Sequence, residues 1–257
     1  MVRTLVPSVT TSTTLTTFPV TPGPTGLHVA ELWRYPVKSL RGEQLTEAEV
    51  GLEGVAGDRI VHVRSRAGRL PELDGQLVTS RARPRLLGLA GTTGPAGAPL
   101  IDGHAWDSQE ALALVEAAVG GGARLVAYDG PERFDILPLS VLTDGAIAAL
   151  GVDRRRLRPN IVIGGVEGLA ERGWEGRRLR IGGSGGSGGS AGTGGVVVET
   201  VRLRGRCVMT TFDPDTLEQD RGLLRRIVEE FEGTMSLDTA VLAPGLIRVG
   251  DPVELLD

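Results

Sequence analysis

Turn-forming residues cut this chain into short pieces. It carries 38 glycines and 15 prolines in 257 residues, while aromatic residues make up only 4%. That composition suggests many turns and short elements, hence a β-rich or mixed fold rather than a helical bundle. Many short strands with occasional helices fit better, which predicts an α+β, β-rich fold built on barrel-like sheets. The length allows one large domain or two small ones, each able to bury a core. No run of about 18 apolar residues exists, which excludes a transmembrane helix. The net charge of −4 argues against general nucleic-acid binding. A single cysteine excludes both an intrachain disulfide framework and a cysteine-rich zinc site.

The segment HVAELWRYPV (28–37) reads as a strand turning into a loop, because Pro36 interrupts any helix. QLTEAEV and RIVHVRS read as further strands around the GLEGVAGD turn, and LVTSRARPRLLGLAG continues the pattern. Residues 108–119 read as a helix capped by Ser108, with Leu112, Val115, Ala118 and Val119 on its apolar face. A second helix is expected over 143–150, capped by Thr143 or Asp144. A third is expected over 220–231, with Leu224, Ile227, Val228 and Phe231 at helical spacing and Gly233 as its stop. RLVAYDG, RPNIVIGG, LRI, VVVETVRL and LIRVGDPVELL supply the remaining strands. Residues 1–26, rich in Thr, Pro and Val, read as a disordered tail without a secretory or mitochondrial signal, so a cytoplasmic location is expected. The Gly/Ser stretch over 182–195 reads as a flexible hairpin tip spanning roughly 20 Å.

The chemistry narrows by elimination. The three histidines, His28, His62 and His104, lie far apart with no metal-ligand spacing and read as structural. No Gly-x-Ser-x-Gly elbow and no Walker A loop is present. The Gly/Ser stretch lacks the strand–helix setting and acidic partner of a dinucleotide site. That leaves Cys207 and the cations. Cys207 follows three alternating arginines, Arg202, Arg204 and Arg206. A regular strand puts Arg206 and Cys207 on opposite faces; a bulge near Gly205 brings them to one pocket. A lone cysteine is often a small buried hydrophobe, but cationic neighbours favour the thiolate, the form that attacks electrophiles and binds soft metals. Asp213 and Asp215 nearby suit either a turn or the orientation of a proton. At least two of Arg154, Arg155 and Arg156 are expected to face solvent. Arg158 stands before Pro159 and Asn160, a pairing suited to an anion or a heterocycle edge. Lys38 and Ser39 form a third such set, and Thr79, Arg81 and Arg85 a fourth. Four cationic segments in an acidic protein point to a polyanionic ligand such as a phosphate, held inside.

YPVKSLRG, GDR (57–59), TSRARPRL, LPLSVLTDGAIAAL, LRPNIVI, RCVMTTFDPDT and IRVGDPVELL occur in that order. Together they resemble the MOSC family (molybdenum cofactor sulfurase C-terminal domain) with its N-terminal β-barrel partner, in the branch that includes the mitochondrial amidoxime-reducing component and its bacterial relatives. The resemblance spans about residues 27–256. It implies a MOSC β-barrel core with inserted helices over 124–257 and a smaller N-terminal β-barrel-like domain over 27–123, with a pyranopterin molybdenum cofactor (Mo-molybdopterin) held between them. By this resemblance Cys207 is the molybdenum ligand. Lys38, Ser39 and Arg81 contact the pterin and phosphate from one domain, and Arg158, Asn160 and Arg206 from the other. The chain departs from the branch in MSLDTAVLAPG (235–245), where Asp238 stands roughly at the place of an aromatic hydroxyl. Asp213 and Asp238 are the candidate catalytic carboxylates beside Cys207.

The implied activity is reduction of N-hydroxylated or N-oxide small molecules. One cysteine cannot hold an iron–sulfur cluster, so electrons are expected from a separate ferredoxin- or flavin-type protein, with no nucleic-acid or membrane partner. Two alternatives stand beside it. One is a non-catalytic cofactor carrier or persulfide sulfur carrier, served by a pyridoxal-phosphate cysteine desulfurase acting in trans. The other is a structural cysteine with no metal.

Overall fold

A computed structural model describes residues 26–66, 74–128, 130, 133–183 and 195–256. In chain order the strands are β1 (His28–Arg34), β2 (Glu43–Leu45), β3 (Glu47–Gly51), β4 (Gly54–Val55), β5 (Val61–Ser65), β6 (Gly91–Thr93), β7 (Pro99–Ile101), β8 (His104–Ala105) and β9 (Ala123–Ala127). They continue as β10 (Leu139–Thr143), β11 (Ile161–Gly164), β12 (Arg178–Ile181), β13 (Val196–Gly205), β14 (Thr234–Ala243), β15 (Gly245–Arg248) and β16 (Val253–Leu256). The helices are α1 (Gln109–Val119), α2 (Asp144–Leu150) and α3 (Arg221–Phe231). The class is α+β and β-rich, as the density of turn residues predicts.

An eight-stranded sheet in the order β16-β12-β13-β14-β10-β11-β1-β2 dominates. Its pairs are antiparallel except β10 with β11. A parallel pair needs a crossover, and α2 with the short 3-10 turn Arg154–Leu157 supplies it. One face buries alternate residues, among them Val29, Leu32, Ile161, Ile163, Leu179, Ile181 and Val198. β12 shows the period-two pattern plainly, with Arg178 and Arg180 exposed and Leu179 and Ile181 buried. The sheet curls toward a barrel but does not close. Near its outer edges a single bridge joins His28 to Pro252.

A second core gathers Val37, Leu40, Val61, Val63, Leu86, Ile101, Ala111, Val115, Val119 and Ala123 beneath α1. A third packs α2 and α3 through Leu142, Leu150, Leu223, Ile227, Phe231 and Met235. The buried residues of the second core lie within 27–123 and those of the third within 124–257, while the first core crosses that division. β1 and β2 belong to the large sheet, because Val29 and Leu32 share one interior with Ile161 and Ile163. β3 pairs with β15, and β9 pairs back onto β5.

The caps expected for the first two helices are present: the hydroxyls of Ser108 and Thr143 accept from Ala111 N and Ala146 N, each at 3.1 Å. Asp220, expected as the first residue of the third helix, caps α3 instead. Gly233, with φ of 75°, follows α3 after Glu232 has turned left-handed. The apolar face of α3 is rotated from expectation: Leu223 is buried and Val228 is exposed. LVTSRARPRLLGLAG is no strand over most of its length. Thr79 O accepts from both Ala82 N and Arg83 N, and Pro84, with no N–H to give a ladder, opens a 3-10 turn that buries Leu86 and Leu87. The β12–β13 hairpin forms with Ile181 opposite Val196; most of its Gly/Ser tip, like residues 1–25, lies outside the described residues.

Candidate active site

Three loops and the bulged end of β13 meet where the second core abuts the large sheet. Lys38 and Ser39 follow β1. Pro36 ends the strand, Lys38 N donates to Val61 O at 2.9 Å, and Ser39 takes a left-handed backbone with φ of 75°. Arg81 rides the turn that Thr79 closes. Arg158 ends the 3-10 turn, also left-handed at φ 51°. β13 shifts register between Leu203 and Gly205, the position where the sequence allows a bulge. Arg204, Arg206 and Cys207 therefore line one cleft together.

The cleft holds about 200 Å³. Among the described residues, seven cations line it (Lys38, Arg59, Arg81, Arg156, Arg158, Arg204 and Arg206) against one carboxylate, Asp135. Asp135 bonds Lys38 at 3.0 Å and Arg81 at 2.9 Å. Burial opposes the charge of Asp135, yet Lys38 and Arg81 hold its pKa below the usual range. Burial lowers that of Lys38. Burial also pushes Arg158 and Arg206 down to about 10, so both stay charged at neutral pH. Arg158 donates to Leu40 O at 2.7 Å and lies 4.2 Å from the Tyr35 ring centre. Arg206 donates to Leu157 O at 2.7 Å. Arg81 interacts with the sulfur of half-buried Cys207.

Two observations make the cleft a candidate ligand site. Seven described non-glycine residues have positive φ, and three of them, Ser39, Arg59 and Arg158, line it. Such backbones cost about 1–3 kcal/mol each and persist where function requires the geometry. In addition, Arg206 Nε and Thr210 Oγ1 are buried without a hydrogen-bond partner. An unmet buried polar group costs about 1–3 kcal/mol, which a bound acceptor removes.

Of the expected site residues, Lys38, Ser39, Arg81, Arg158, Arg206 and Cys207 meet here, and three others stand back. Asn160 is buried and joins elements: it accepts from Ser140 N at 3.2 Å and donates to Trp33 O at 3.3 Å and Asp58 at 3.2 Å. Asp58 in turn receives Arg59 and Tyr35 N. Asp213 closes a turn by accepting from Asp215 N and Thr216 N, and it pairs with Arg156 at 2.9 Å. Asp238 is fully buried on β14 and holds Arg204 at 2.5 Å and Arg202 at 3.4 Å. The two aspartates touch the cleft through their arginines. Sequence reasoning missed Asp135 and Thr210. Asp135 belongs to no local pattern, and its partners lie far away along the chain. Arg156 turns inward while Arg154 and Arg155 stay more exposed. His62 is buried and stacks on Tyr128 at 4.5 Å. No group of three or more His, Cys, Asp or Glu suited to a metal ion occurs among the described residues.

A β-rich sheet, a smaller body beside it and a thiol-bearing cleft of cations define a protein whose donor set suits an anionic ligand with a soft metal. Residues 142–254 match the model of the MOSC domain and residues 26–99 that of the MOSC N-terminal beta barrel domain, so the chain belongs to the MOSC family, which is associated with the molybdenum cofactor. Mitochondrial amidoxime-reducing component 1 from Mus musculus is 28% identical over 89% of this chain and 82% of its own length. The Homo sapiens component 1 is 26% identical over the same shares. The Homo sapiens component 2 is 25% identical over 88% and 82%. The YUAD protein from Bacillus subtilis, a solved structure, aligns at 13% identity with a TM-score of 0.47 over 89% of this chain and 94% of that one. No described helix is long and apolar enough to cross a membrane.

Proposed function

We propose that the chain is a cytoplasmic molybdenum-cofactor-dependent reductase of N-hydroxylated or N-oxide compounds, supplied with electrons by a separate ferredoxin- or flavin-type protein. One observation carries the reading: a half-buried cysteine shares a cleft with seven cations and a single carboxylate. The donor set fits the group. A thiolate suits molybdenum, and Arg and Lys donors suit its phosphate. The orphaned Arg206 Nε and Thr210 Oγ1 offer two further donors to it.

In this reading Cys207 ligates the metal. Lys38, Ser39 and Arg81 hold the phosphate side, and Arg158 and Arg206 hold the other. Asn160 acts through Asp58 to fix Arg59. Asp238 and Asp213 are positioning residues that aim Arg204 and Arg156. When bound, the cofactor supplies a metal centre for two-electron reduction, in which an N–OH group takes two electrons and two protons to leave N–H and water. The chain's own residues bind, orient and neutralise. With one cysteine in the sequence the protein cannot hold a cluster of its own, hence the external donor.

The test is elemental analysis of protein purified from cells that make the cofactor. Molybdenum near one atom per chain is expected, falling at least tenfold in Cys207→Ser. Unchanged metal in that variant overturns the ligand role. Reduction of benzamidoxime with reduced methyl viologen then separates a reductase from a carrier. A metal-loaded protein without turnover, bearing a persulfide on Cys207 after exposure to a cysteine desulfurase, overturns the reductase reading in favour of sulfur or cofactor transfer.

A further inference from the structure

Behind Arg158 lies a second cavity of about 330 Å³, which the cofactor reading does not use. It opens between the Arg41–Gly42 and Leu87–Ala90 segments on one side and the 155–158 turn with Met209–Pro214 on the other. Arg156, Arg158 and Met209 line both cavities and form the partition between them. Cys207, Lys38 and Arg81 line only the cleft.

The walls are largely apolar and aromatic. Trp33, Tyr35 and Leu87 are buried there, and Phe212 and Met209 complete the floor. Gly42 gives the cavity its shape, since a Cβ at that position would overlap Arg34 O and the Tyr35 ring. The charges on the rim are unequal in kind. Arg155 is held by Asp153 and Asp215, and Arg156 by Asp213. Arg158 stacks on Tyr35 and donates to Leu40 O. Among the described residues Arg41 has no side-chain partner, and its Nε is buried and unbonded. Its backbone is pinned, with N donating to Leu89 O at 2.9 Å and O accepting from Gly91 N at 2.8 Å. The guanidinium thus leaves a fixed point at the mouth of an aromatic cavity.

We propose that this cavity is a binding site for a small planar aromatic monoanion, of the aryl carboxylate class. The aromatic walls take the ring system, and Arg41 takes the carboxylate as a charge-assisted pair. The volume falls within the range of small-molecule sites. Among the described residues Arg41 is the cation facing the space whose side chain makes no hydrogen bond or ion pair, so it offers free donors to one carboxylate, whereas the adjoining cleft suits a polyanion.

Isothermal titration with 2-naphthoate tests this on the full chain, with 2-naphthalenemethanol and cyclohexanecarboxylate as partners lacking the charge or the aromatic ring. One site per chain is expected for 2-naphthoate, with each comparator at least tenfold weaker. Arg41→Gln is expected to weaken 2-naphthoate at least tenfold, and Ala90→Leu, which fills the space, to weaken it further. Both variants should keep the wild-type molybdenum content, because neither residue lines the cleft. Absence of 2-naphthoate binding, or equal binding by both variants and wild type, overturns the proposal. So does displacement of 2-naphthoate by pyrophosphate without loss of affinity in Arg41→Gln, since that locates the probe in the cleft. The readout is independent of metal, so failure here leaves the Cys207 reading standing, and failure of that reading leaves this one measurable.

Discussion

Ser39, Arg59 and Arg158 hold backbone angles that glycine would adopt more cheaply. At Ser39 the side chain is the only reason to bear that cost, which yields a direct prediction. Ser39→Gly is expected to raise unfolding stability by up to about 1 kcal/mol in urea denaturation, while lowering molybdenum occupancy through loss of its hydroxyl. A second prediction concerns His62. Burial, then the charges of Lys38 and Arg64, push its pKa down to about 4. A base with a depressed folded pKa binds fewer protons than the unfolded chain between about pH 4 and 6.5. Stability should therefore fall as pH drops through that window, and His62→Phe, which keeps a ring against Tyr128, should flatten the profile. Equal slopes in wild type and variant would contradict it. At this scale the sequence was informative wherever a residue announced its own chemistry. Cys207, Lys38, Arg81 and Arg158 could be singled out as a thiol or as cations beside hydrogen-bonding neighbours. Asp135 could not, since its meaning comes from Lys38 and Arg81, which only the fold brings to it.

Elements were legible in proportion to how local their causes are. Caps at Ser108, Thr143 and Asp220 follow from a side-chain oxygen meeting an N–H two or three residues on, and the β12–β13 hairpin from two apolar runs flanking a turn-rich tip. β14 was not legible. It lies between β13 and β10 and is buried on both faces, yet it carries Ser236, Asp238 and Thr239 inward. Ser236 and Asp238 serve distant arginines, and a hydrophobic pattern cannot reveal that. The Thr79–Gly88 segment misled for the opposite reason: apolar residues that look strand-like are gathered by Pro84 into a turn. α2 carries a prediction of its own. Gly145 sits in its first turn, where a methyl group would overlap the backbone oxygens of Gly168 and Val166. Backbone does not yield easily, so Gly145→Ala is expected to cost about 2 kcal/mol or more despite the better helix propensity of alanine. Thermal unfolding checks it, with Gly151→Asn at the left-handed end of α2 expected to cost less.

Across the whole molecule, charge is sorted. The chain carries a net −4, yet its cleft presents seven cations to one carboxylate. A protein that is acidic overall resists binding polyanions on its general surface and concentrates its attraction in one place. Pyrophosphate should accordingly raise the melting temperature of the metal-free protein, by about 2.7 kcal/mol in stability at one hundred times its dissociation constant. The effect should shrink with added NaCl and vanish in Lys38→Ala/Arg81→Ala; a shift that survives that double change would place the anion elsewhere. The convergence of cations on one cleft was readable from four basic segments. The shared partition with a second cavity was not, because it depends on how two cores abut. Those cores are also interleaved along the chain. β1 zips onto β11, and His28 bridges Pro252. Val29 and Leu32 pair with residues about 130 positions further on, and His28 bridges one about 220 further on, so this sheet closes its longest pairings only after β16 has been made.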